Sequence, residues 1–144
     1  MKNKGFTLIE LLAVIVILAI IALIATPMIL GVIDTAKRGS AESSALGYVE
    51  AVEKSIMLQQ VKGEMAPAAG TYTISNSGKT LTYAKDSTTY TITVDYKGAA
   101  PDGSSDSVTI GSDSSVTAAT LTFSTIHANV VTYNGTTGRA TIAS

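Results

Sequence analysis

An uncharged stretch of 23 residues near the N-terminus, residues 11–33, constrains the fold more than any other feature. Glu10 precedes it and Asp34 follows it, and only one threonine, one proline and one glycine interrupt the apolar run. As an α-helix the stretch would extend about 35 Å, whereas the hydrocarbon core of a bilayer is about 30 Å thick. We therefore predict a helix that can cross a membrane.

A secretory signal peptide is the obvious alternative for such a segment. The apolar region of a signal peptide has about 7–15 residues, so the stretch in this chain is too long. In addition, the charged residue Glu10 directly precedes the stretch. A carboxylate that enters hydrocarbon without a partner costs roughly 2.5 kcal/mol or more, which indicates that Glu10 has a partner or lies at the interface. Lys2 and Lys4 precede the stretch and favour a cytoplasmic N-terminus with the remainder exported.

The composition excludes several classes of protein. The 144 residues carry a formal net charge of −1, which argues against a strong electrostatic nucleic-acid interface. The chain has no cysteine, so disulfides, thiolate metal sites and cysteine nucleophiles are excluded. The single histidine, His127, has no poised acid or second ligand in the sequence pattern. We expect no cofactor, no metal ion and no catalytic residue, and therefore no enzyme.

Residues 34–62 continue the helix with an amphipathic pattern. Apolar residues return every three or four positions, whereas charged residues fall on the other faces. The repeating positions are Ala41, Ala45, Tyr48, Val52, Ile56 and Gln59, with Val49 beside them. We expect the helix to end before Gly63 and this face to pack on the rest of the chain.

Residues 63–70 have the composition of a linker, and the remaining sequence alternates as β-strands do. The clearest alternation is Tyr90, Ile92, Val94 and Tyr96, and similar pairs are Tyr72/Ile74, Leu81/Tyr83, Val108/Ile110 and Leu121/Phe123. Hairpin turns are predicted at Asn76-Ser77-Gly78 and at Asn134-Gly135, and threonines occupy the outward positions. We predict an α+β fold: a long N-terminal helix packed on a C-terminal antiparallel sheet.

The residues Gly5-Phe6-Thr7-Leu8-Ile9-Glu10, followed by an apolar run that reaches Pro27, resemble the N-terminus of type IV pilins. The resemblance covers about residues 1–60 and is detailed over the first 34. Many pilins of Gram-negative bacteria close the C-terminal region with a disulfide, which this chain cannot form. The resemblance is therefore to a Gram-positive, clostridia-like version of the family.

The resemblance implies four segments, which we state as expectations. Residues 1–5 are a leader peptide, and residues 6–33 are an apolar transmembrane and filament-core helix. Residues 34–62 are the amphipathic half of the same helix, and residues 63–144 are the antiparallel β-sheet body.

The resemblance also implies roles for individual residues. Gly5 is the last residue of the leader, cut by a prepilin peptidase, and Phe6 becomes an N-terminus whose amine is methylated. Glu10 pairs with the Phe6 amine of a neighbouring subunit, and Pro27 matches the helix-disrupting proline of the family. Two simpler alternatives remain: Glu10 is an acid favoured by the helix dipole, and Pro27 is a plain transmembrane kink.

The function implied by the resemblance is that of the major subunit of a type IV pilus. The subunit waits in the cytoplasmic membrane as a single-pass protein and then enters a surface filament, or fimbrium, for adhesion, twitching motility or DNA uptake. Its partners are copies of itself, the prepilin peptidase, an assembly ATPase and a platform membrane protein, with nucleic acid only through the filament. Alternatives are a pseudopilin of type II secretion or competence, and an uncleaved single-pass surface binding domain.

Two motifs in the body have a functional and a plain interpretation. The loop Asp102-Gly103-Ser104-Ser105-Asp106, with Asp113 nearby, offers oxygen ligands for calcium, but its spacing matches no EF-hand, so we favour a solvated turn. Asn134-Gly135-Thr136 fits a glycosylation sequon, although Asn-Gly is first of all a turn signal.

Overall fold

The computed structural model describes residues 5–103 and 105–143, and the predicted α+β class is confirmed. Within that part of the chain one helix precedes seven strands. The elements are α1 (Leu8–Val61), β1 (Gly70–Ser75), β2 (Thr80–Lys85), β3 (Thr88–Thr93), β4 (Ser107–Ile110), β5 (Val116–Phe123), β6 (His127–Asn134) and β7 (Arg139–Ile142). Lys2 and Lys4 of the expected leader, and Ser104 of the acidic loop, lie outside the described residues.

The chain divides into two compact units, with the boundary between Ala36 and Lys37. The first contains residues 8–36 of α1, whose large apolar side chains are exposed. The second contains residues 37–61 of α1 together with all seven strands. Each unit is described by itself below.

The end of α1 follows from the glycine that the sequence places there. Gly63 has a φ of +74°, in the left-handed region that favours glycine. Its N–H donates to the carbonyl of Gln60 at 3.1 Å, and the N–H of Glu64 donates to the carbonyl of Gln59 at 3.0 Å. This pair of bonds is a Schellman motif, which satisfies carbonyls that a helix end leaves open. The predicted end before Gly63 is confirmed.

The seven strands form one antiparallel sheet in the order β3-β2-β1-β4-β5-β6-β7. The predicted turn between β1 and β2 is present, with positive φ at Asn76, Ser77 and Gly78. The turn between β2 and β3 was not predicted. It consists of Asp86 and Ser87, whose φ angles of 49° and 66° fit the type I′ turn that tight hairpins prefer.

The core lies between one face of the sheet and the second half of α1. Of the predicted helical positions, Ala41, Ala45, Tyr48, Val49, Val52 and Ile56 are buried, whereas Gln59 is half-buried. They pack with strand residues of the inward phase, among them Tyr72, Ile74, Leu81, Ile92, Val108, Ile110, Leu121, Phe123 and Val131. Burial of this apolar surface, at roughly 25 cal/mol per Å², is what holds a cysteine-free body together.

The outer face of the sheet is covered with threonine and serine hydroxyl groups, as the threonine pattern predicted. One row crosses all seven strands with each residue directly opposite the next. It consists of Thr91, Thr82, Thr73, Ser107, Thr120, Thr132 and Thr141. Thr73 and Thr82 lie close enough for their hydroxyls to bond at 3.3 Å. A β-branched side chain with a hydroxyl suits a strand surface that faces water.

The predicted alternation from Tyr90 to Tyr96 extends beyond the strand. β3 ends at Thr93, although the N–H of Val94 still donates to the carbonyl of Lys79 at 2.9 Å. Tyr96 then leaves the sheet. Its ring meets that of Tyr48 edge to face at 5.5 Å, and its hydroxyl donates to the carbonyl of Ser44 at 3.2 Å.

Candidate processing and assembly site

The N-terminus of α1 is fixed by a reciprocal pair of side chains, Thr7 and Glu10. The Glu10 Oε2 atom accepts the backbone N–H of Thr7 at 2.8 Å and the Thr7 hydroxyl at 2.6 Å. The N–H of Glu10 donates to the Thr7 hydroxyl oxygen at 3.3 Å. This arrangement is a capping box, which satisfies two backbone donors that a helix start otherwise leaves open. Within the single chain, Glu10 therefore has a structural partner.

Gly5 and Phe6 lie immediately ahead of this cap. Among the described residues, no atom lies within 4 Å of the position that a side chain at Gly5 would occupy, and the Phe6 side chain is 86% exposed. The four-residue separation from Phe6 to Glu10 places the carboxylate one helical turn into the chain that would begin at Phe6.

The first unit presents a continuous apolar surface. Large apolar side chains from Leu8 to Ile33 are all exposed, around the whole circumference of the helix. Among the described residues, α1 is the single helix long and apolar enough to cross a membrane. A surface of this kind is not stable in water, so it requires lipid or other apolar helices around it.

Pro27 lies inside α1, and the helix is continuous through it. Proline has no N–H, so the carbonyl of Leu23 receives no helical bond from position 27. Beside it, the Thr26 hydroxyl donates to the carbonyl of Ala22 at 2.7 Å, which satisfies the hydroxyl within the apolar segment. The Thr35 hydroxyl does the same with the carbonyl of Gly31 at 3.0 Å.

The comparisons with known proteins concern this N-terminal segment. Residues 1–26 match the family model described as the prokaryotic N-terminal methylation motif. The chain carries the prepilin signal of type IV pilins. The motif is typical of pilin-like prepilin peptidase substrates, which are structural proteins anchored in the membrane before they polymerise into pili. The long helix and the antiparallel sheet fit the same family. No curated protein and no solved structure matches the chain.

Thr7 is the residue of the prepilin signal that our sequence interpretation passed over. The spacing Thr-x-x-Glu just before an apolar run is a recognised helix-start signature, so the capping box was present in the sequence. The interpretation of Glu10 as an acid placed only by the helix dipole is too simple, because its carboxylate accepts two specific hydrogen bonds.

The acidic loop of the body differs from the solvated turn that we favoured. Asp106 is 3% exposed, and its Oδ2 atom accepts the N–H of Gly103 at 3.1 Å. Asp102 remains exposed and binds Ser124, accepting its N–H and its hydroxyl at 3.0 Å each. The Asp102 carboxylate holds the loop to the turn after β5, and the Asp106 carboxylate closes the loop on itself. In the part of the chain that the structure describes, no three Asp, Glu, His or Cys side chains converge as a metal site.

The remaining polar motifs of the body have local structural partners. The Nδ1 atom of His127 accepts the N–H of Asn129 at 3.2 Å. The Oδ1 atom of Asn134 accepts the N–H groups of Thr136 and Thr137, at 2.9 and 3.2 Å, which is the geometry of an Asx turn. The predicted turn at Asn134 is present.

Proposed function

We propose that this chain is the major structural subunit of a type IV pilus. A prepilin peptidase cleaves it after Gly5, and the new N-terminal amine of Phe6 is methylated. The mature chain acts as a structural protein rather than as an enzyme. Residues 1–5 are the leader, residues 6–33 the membrane and filament-core helix, and residues 34–144 the amphipathic half and the body.

The observation that carries this proposal is the exposed apolar surface of residues 8–33 of α1, most of which lies within the matched methylation motif. A single apolar helix with a small body outside is stable in a bilayer. A bundle of identical helices offers the same apolar environment without lipid. The subunit therefore moves from the cytoplasmic membrane to a surface filament without exposing its helix to water.

Glu10 is the residue that we assign to axial register in the filament. Its Oε2 atom is occupied by Thr7, whereas its Oε1 atom has no partner among the described residues. Cleavage creates an amine at Phe6, and a buried carboxylate and a buried amine each need an opposite charge. A staggered neighbouring copy supplies the amine to Oε1, so the charge pair specifies the stagger while the capping box stays in place.

Pro27 is assigned to a local weakness in the helix. The missing hydrogen bond to the Leu23 carbonyl makes this the easiest turn of the apolar segment to extend. Ala19, where many pilins have a glycine, favours a helix that stays intact upstream. We propose that any stretching within the filament is confined to the turns around Pro27.

The partners that we propose are other copies of this chain, the prepilin peptidase, an assembly ATPase and a platform membrane protein. Adhesion, twitching motility or DNA uptake depends on the filament surface. Nucleic acid would be bound only by the assembled filament, because a single chain has a net charge of −1.

Chemical analysis of surface filaments tests the proposal. Filaments are sheared from cells, and their chains are examined by N-terminal sequencing and intact mass. We expect chains that begin at Phe6 and carry one added methyl group. The variant Gly5→Leu should leave uncleaved chains in the membrane, whereas Gly31→Ala, at a glycine with open space around it, should be processed normally.

Filaments built from chains that begin at Met1 would refute the proposal. Short filaments at native expression would instead favour a pseudopilin. Uncleaved chains that remain dispersed in the membrane and still display the body would favour a surface binding domain.

A further inference from the structure

The two edge strands of the sheet differ in how many of their outward backbone groups are hydrogen-bonded by the rest of the chain. β7 forms one edge, is four residues long, and is closed by α1. The N–H of Ile142 donates to Glu42 Oε1 at 3.2 Å, and the carbonyl of Ile142 accepts from Arg38 Nη2 at 3.3 Å. Both outward backbone groups of Ile142 are therefore occupied by helix side chains, which leaves only those of Ala140 on this edge of β7.

β3 forms the opposite edge, and most of its outward backbone groups have no partner among the described residues. A small cavity beside it is lined by Gln59, Met65 and Pro67 together with Thr89 and Thr91. The pairing of Val94 with Lys79 fixes which residues face β2, because paired and outward-facing positions alternate along an antiparallel strand. Thr89, Thr91 and Thr93 therefore direct their N–H and C=O groups away from the sheet. Of these six groups one has a partner within the described residues: the carbonyl of Thr91 accepts from Gln59 Nε2 at 3.1 Å.

The sequence of β3 lacks the usual protection of an exposed edge. Natural edge strands carry lysine, proline or a bulge that prevents pairing with another chain. The segment Thr-Thr-Tyr-Thr-Ile-Thr has no charge, no proline and no glycine, and its register with β2 is regular. Strands of this composition readily add a further strand.

The β3 edge is also complementary to itself. If two copies pair antiparallel about Thr91, then Thr91 faces Thr91 of the second copy and Thr89 faces Thr93. On the inner face Tyr90 then faces Ile92, an aromatic and β-branched pair that strands favour. The threonine pairs repeat those that the sheet already makes between β2 and β3. Gln59 can keep its bond, because a carbonyl oxygen accepts two.

We propose that the β3 edge pairs antiparallel with the β3 edge of a second copy and joins two seven-stranded sheets into one. The closed β7 edge ends the association at two copies. Such a pair has a two-fold axis, whereas the subunits of a helical filament are related by a rotation combined with a rise along the filament axis. Resting on the proposed function, the pairing therefore joins copies from two different filaments and holds the filaments side by side.

The absence of cysteine makes a cross-linking test clean. Directly opposite residues in a hydrogen-bonded pair have Cα atoms about 5.5 Å apart, which a disulfide can bridge. In filaments of the full-length Thr91→Cys variant we expect disulfide-linked dimers after mild oxidation. Thr141→Cys, in the same row of hydroxyls on the closed edge, is the matched control and should stay monomeric.

Two further variants test the register. Thr89→Cys alone should not cross-link, because the two copies of this position would be about 13 Å apart along the paired strands. Cells that produce Thr89→Cys and Thr93→Cys together should give dimers. Equal cross-linking of the Thr91→Cys and Thr141→Cys variants, or efficient cross-linking of Thr89→Cys alone, would refute the pairing.

A charged substitution in β3 tests whether the pairing joins filaments side by side. Thr91→Lys places an ammonium group at the centre of the proposed pair, and its N–H faces outward, so no bond to β2 is lost. We expect electron micrographs to show separated filaments for this variant and side-by-side filaments for Thr132→Lys, on the same face but in the interior strand β6. Unchanged lateral association in the Thr91→Lys variant would overturn the inference.

The result is separable from the proposed function. Filaments of cleaved chains without Thr91→Cys dimers would leave the pilus assignment standing and remove the pairing. Uncleaved membrane chains that still form these dimers would remove the pilus assignment and leave the pairing standing.

Discussion

The Tyr48 hydroxyl donates a 2.7 Å hydrogen bond to the carbonyl of Gly78, deep inside the body. Tyr48 projects from α1, and Gly78 lies in the turn between β1 and β2, where a φ of +79° favours glycine. A side chain at Gly78 would also meet Pro101 Cδ at 2.8 Å. This one bond therefore ties the helix to the hairpin turn at a point where neither partner reaches water.

The Tyr48→Phe variant should be destabilised by about 1–3 kcal/mol, because it leaves the buried Gly78 carbonyl without a donor. The free energy of unfolding of the full chain, measured by chemical denaturation in detergent, checks this value. Tyr90→Phe is the control, since the Tyr90 hydroxyl has no hydrogen bond within the described residues. Equal stability of the two variants would contradict the assigned bond.

Stability should fall at alkaline pH. Burial, and after it the negative charge of Asp106, raises the pKa of Tyr48 above its ordinary value of 10.0. The unfolded chain therefore loses this proton at a lower pH than the folded chain does. The stabilisation is complete below pH 10 and is lost as the pH rises above it.

Denaturation curves at about pH 9 and about pH 11 measure the effect, and Tyr48→Phe should show a smaller loss. Burial also raises the pKa of Tyr72 and Tyr96, so some loss should persist in the variant. A pH dependence identical to that of the wild type would exclude Tyr48 as a source.

The buried face of α1 was predictable because its cause is local. A period of 3.6 residues places Tyr48, Val52 and Ile56 on one side of any helix, and the sheet then covers that side. Ser55 is buried as well, which hydrophobicity does not predict. Its hydroxyl donates to the carbonyl of Ala51 at 2.8 Å, so burial leaves no polar group unpaired.

The organisation of the sheet was only partly predictable. The alternation of apolar and polar residues identified the strand residues. It does not indicate where pairing with the neighbouring strand stops. β3 ends at Thr93, although the alternating pattern continues to Tyr96. Strand order depends on contacts distant in sequence, such as Thr73 opposite Ser107. The buried Asp106 carboxylate accepts a hydrogen bond from the backbone N–H of Gly103. The pattern of charges in the sequence does not reveal this contact.

The residues of the candidate site could be named from the sequence because they form a contiguous motif, and their roles stay predictions. Gly5, Phe6 and Glu10 are adjacent in sequence, and the Thr7–Glu10 capping box is a local interaction. The proposed partner of Glu10 belongs to another copy of the chain. A single sequence can suggest that partner only through the cost of an unpaired charge.

Truncation of two adjacent residues of α1 should change the stability by very different amounts. Ile56 is 1% exposed in the core, whereas Met57 is 62% exposed on the outer side of the helix. Ile56→Ala should cost about 2–5 kcal/mol of unfolding free energy, because it removes packed methyl groups and leaves a cavity. Met57→Ala should change stability by about 0.5 kcal/mol or less. A large effect at Met57 would indicate that its surface is covered by another molecule.

The closure of the β7 edge can be measured at a single amide. Glu42→Ala removes the acceptor of the Ile142 N–H and should cost about 1–2 kcal/mol locally. Hydrogen exchange of the Ile142 amide should become faster. Glu42→Gln keeps an acceptor oxygen and should exchange more slowly than Glu42→Ala, and Glu50→Ala, at an exposed helix position, should have no effect. Unchanged exchange in Glu42→Ala would show that the contact does not protect this amide.

The two roles of Glu10 can be separated by substitution. Glutamine also serves in a capping box, so Glu10→Gln keeps the helix start and removes the charge. Thr7→Val keeps the charge and removes the hydroxyl that bonds Glu10, at a cost of about 1 kcal/mol to the first turn.

If Glu10 pairs with the amine of a neighbouring copy, the Glu10→Gln variant should be cleaved normally but should form few or no filaments. The buried amine then lacks its countercharge, and breaking such a buried pair costs about 3–5 kcal/mol. Thr7→Val should still assemble, with a frayed first turn. Intact mass reports cleavage, and the yield of sheared surface filaments reports assembly. Normal yield from Glu10→Gln would remove the charge pair from the assembly mechanism. Equal loss in both variants would mean that assembly depends on the helix cap instead.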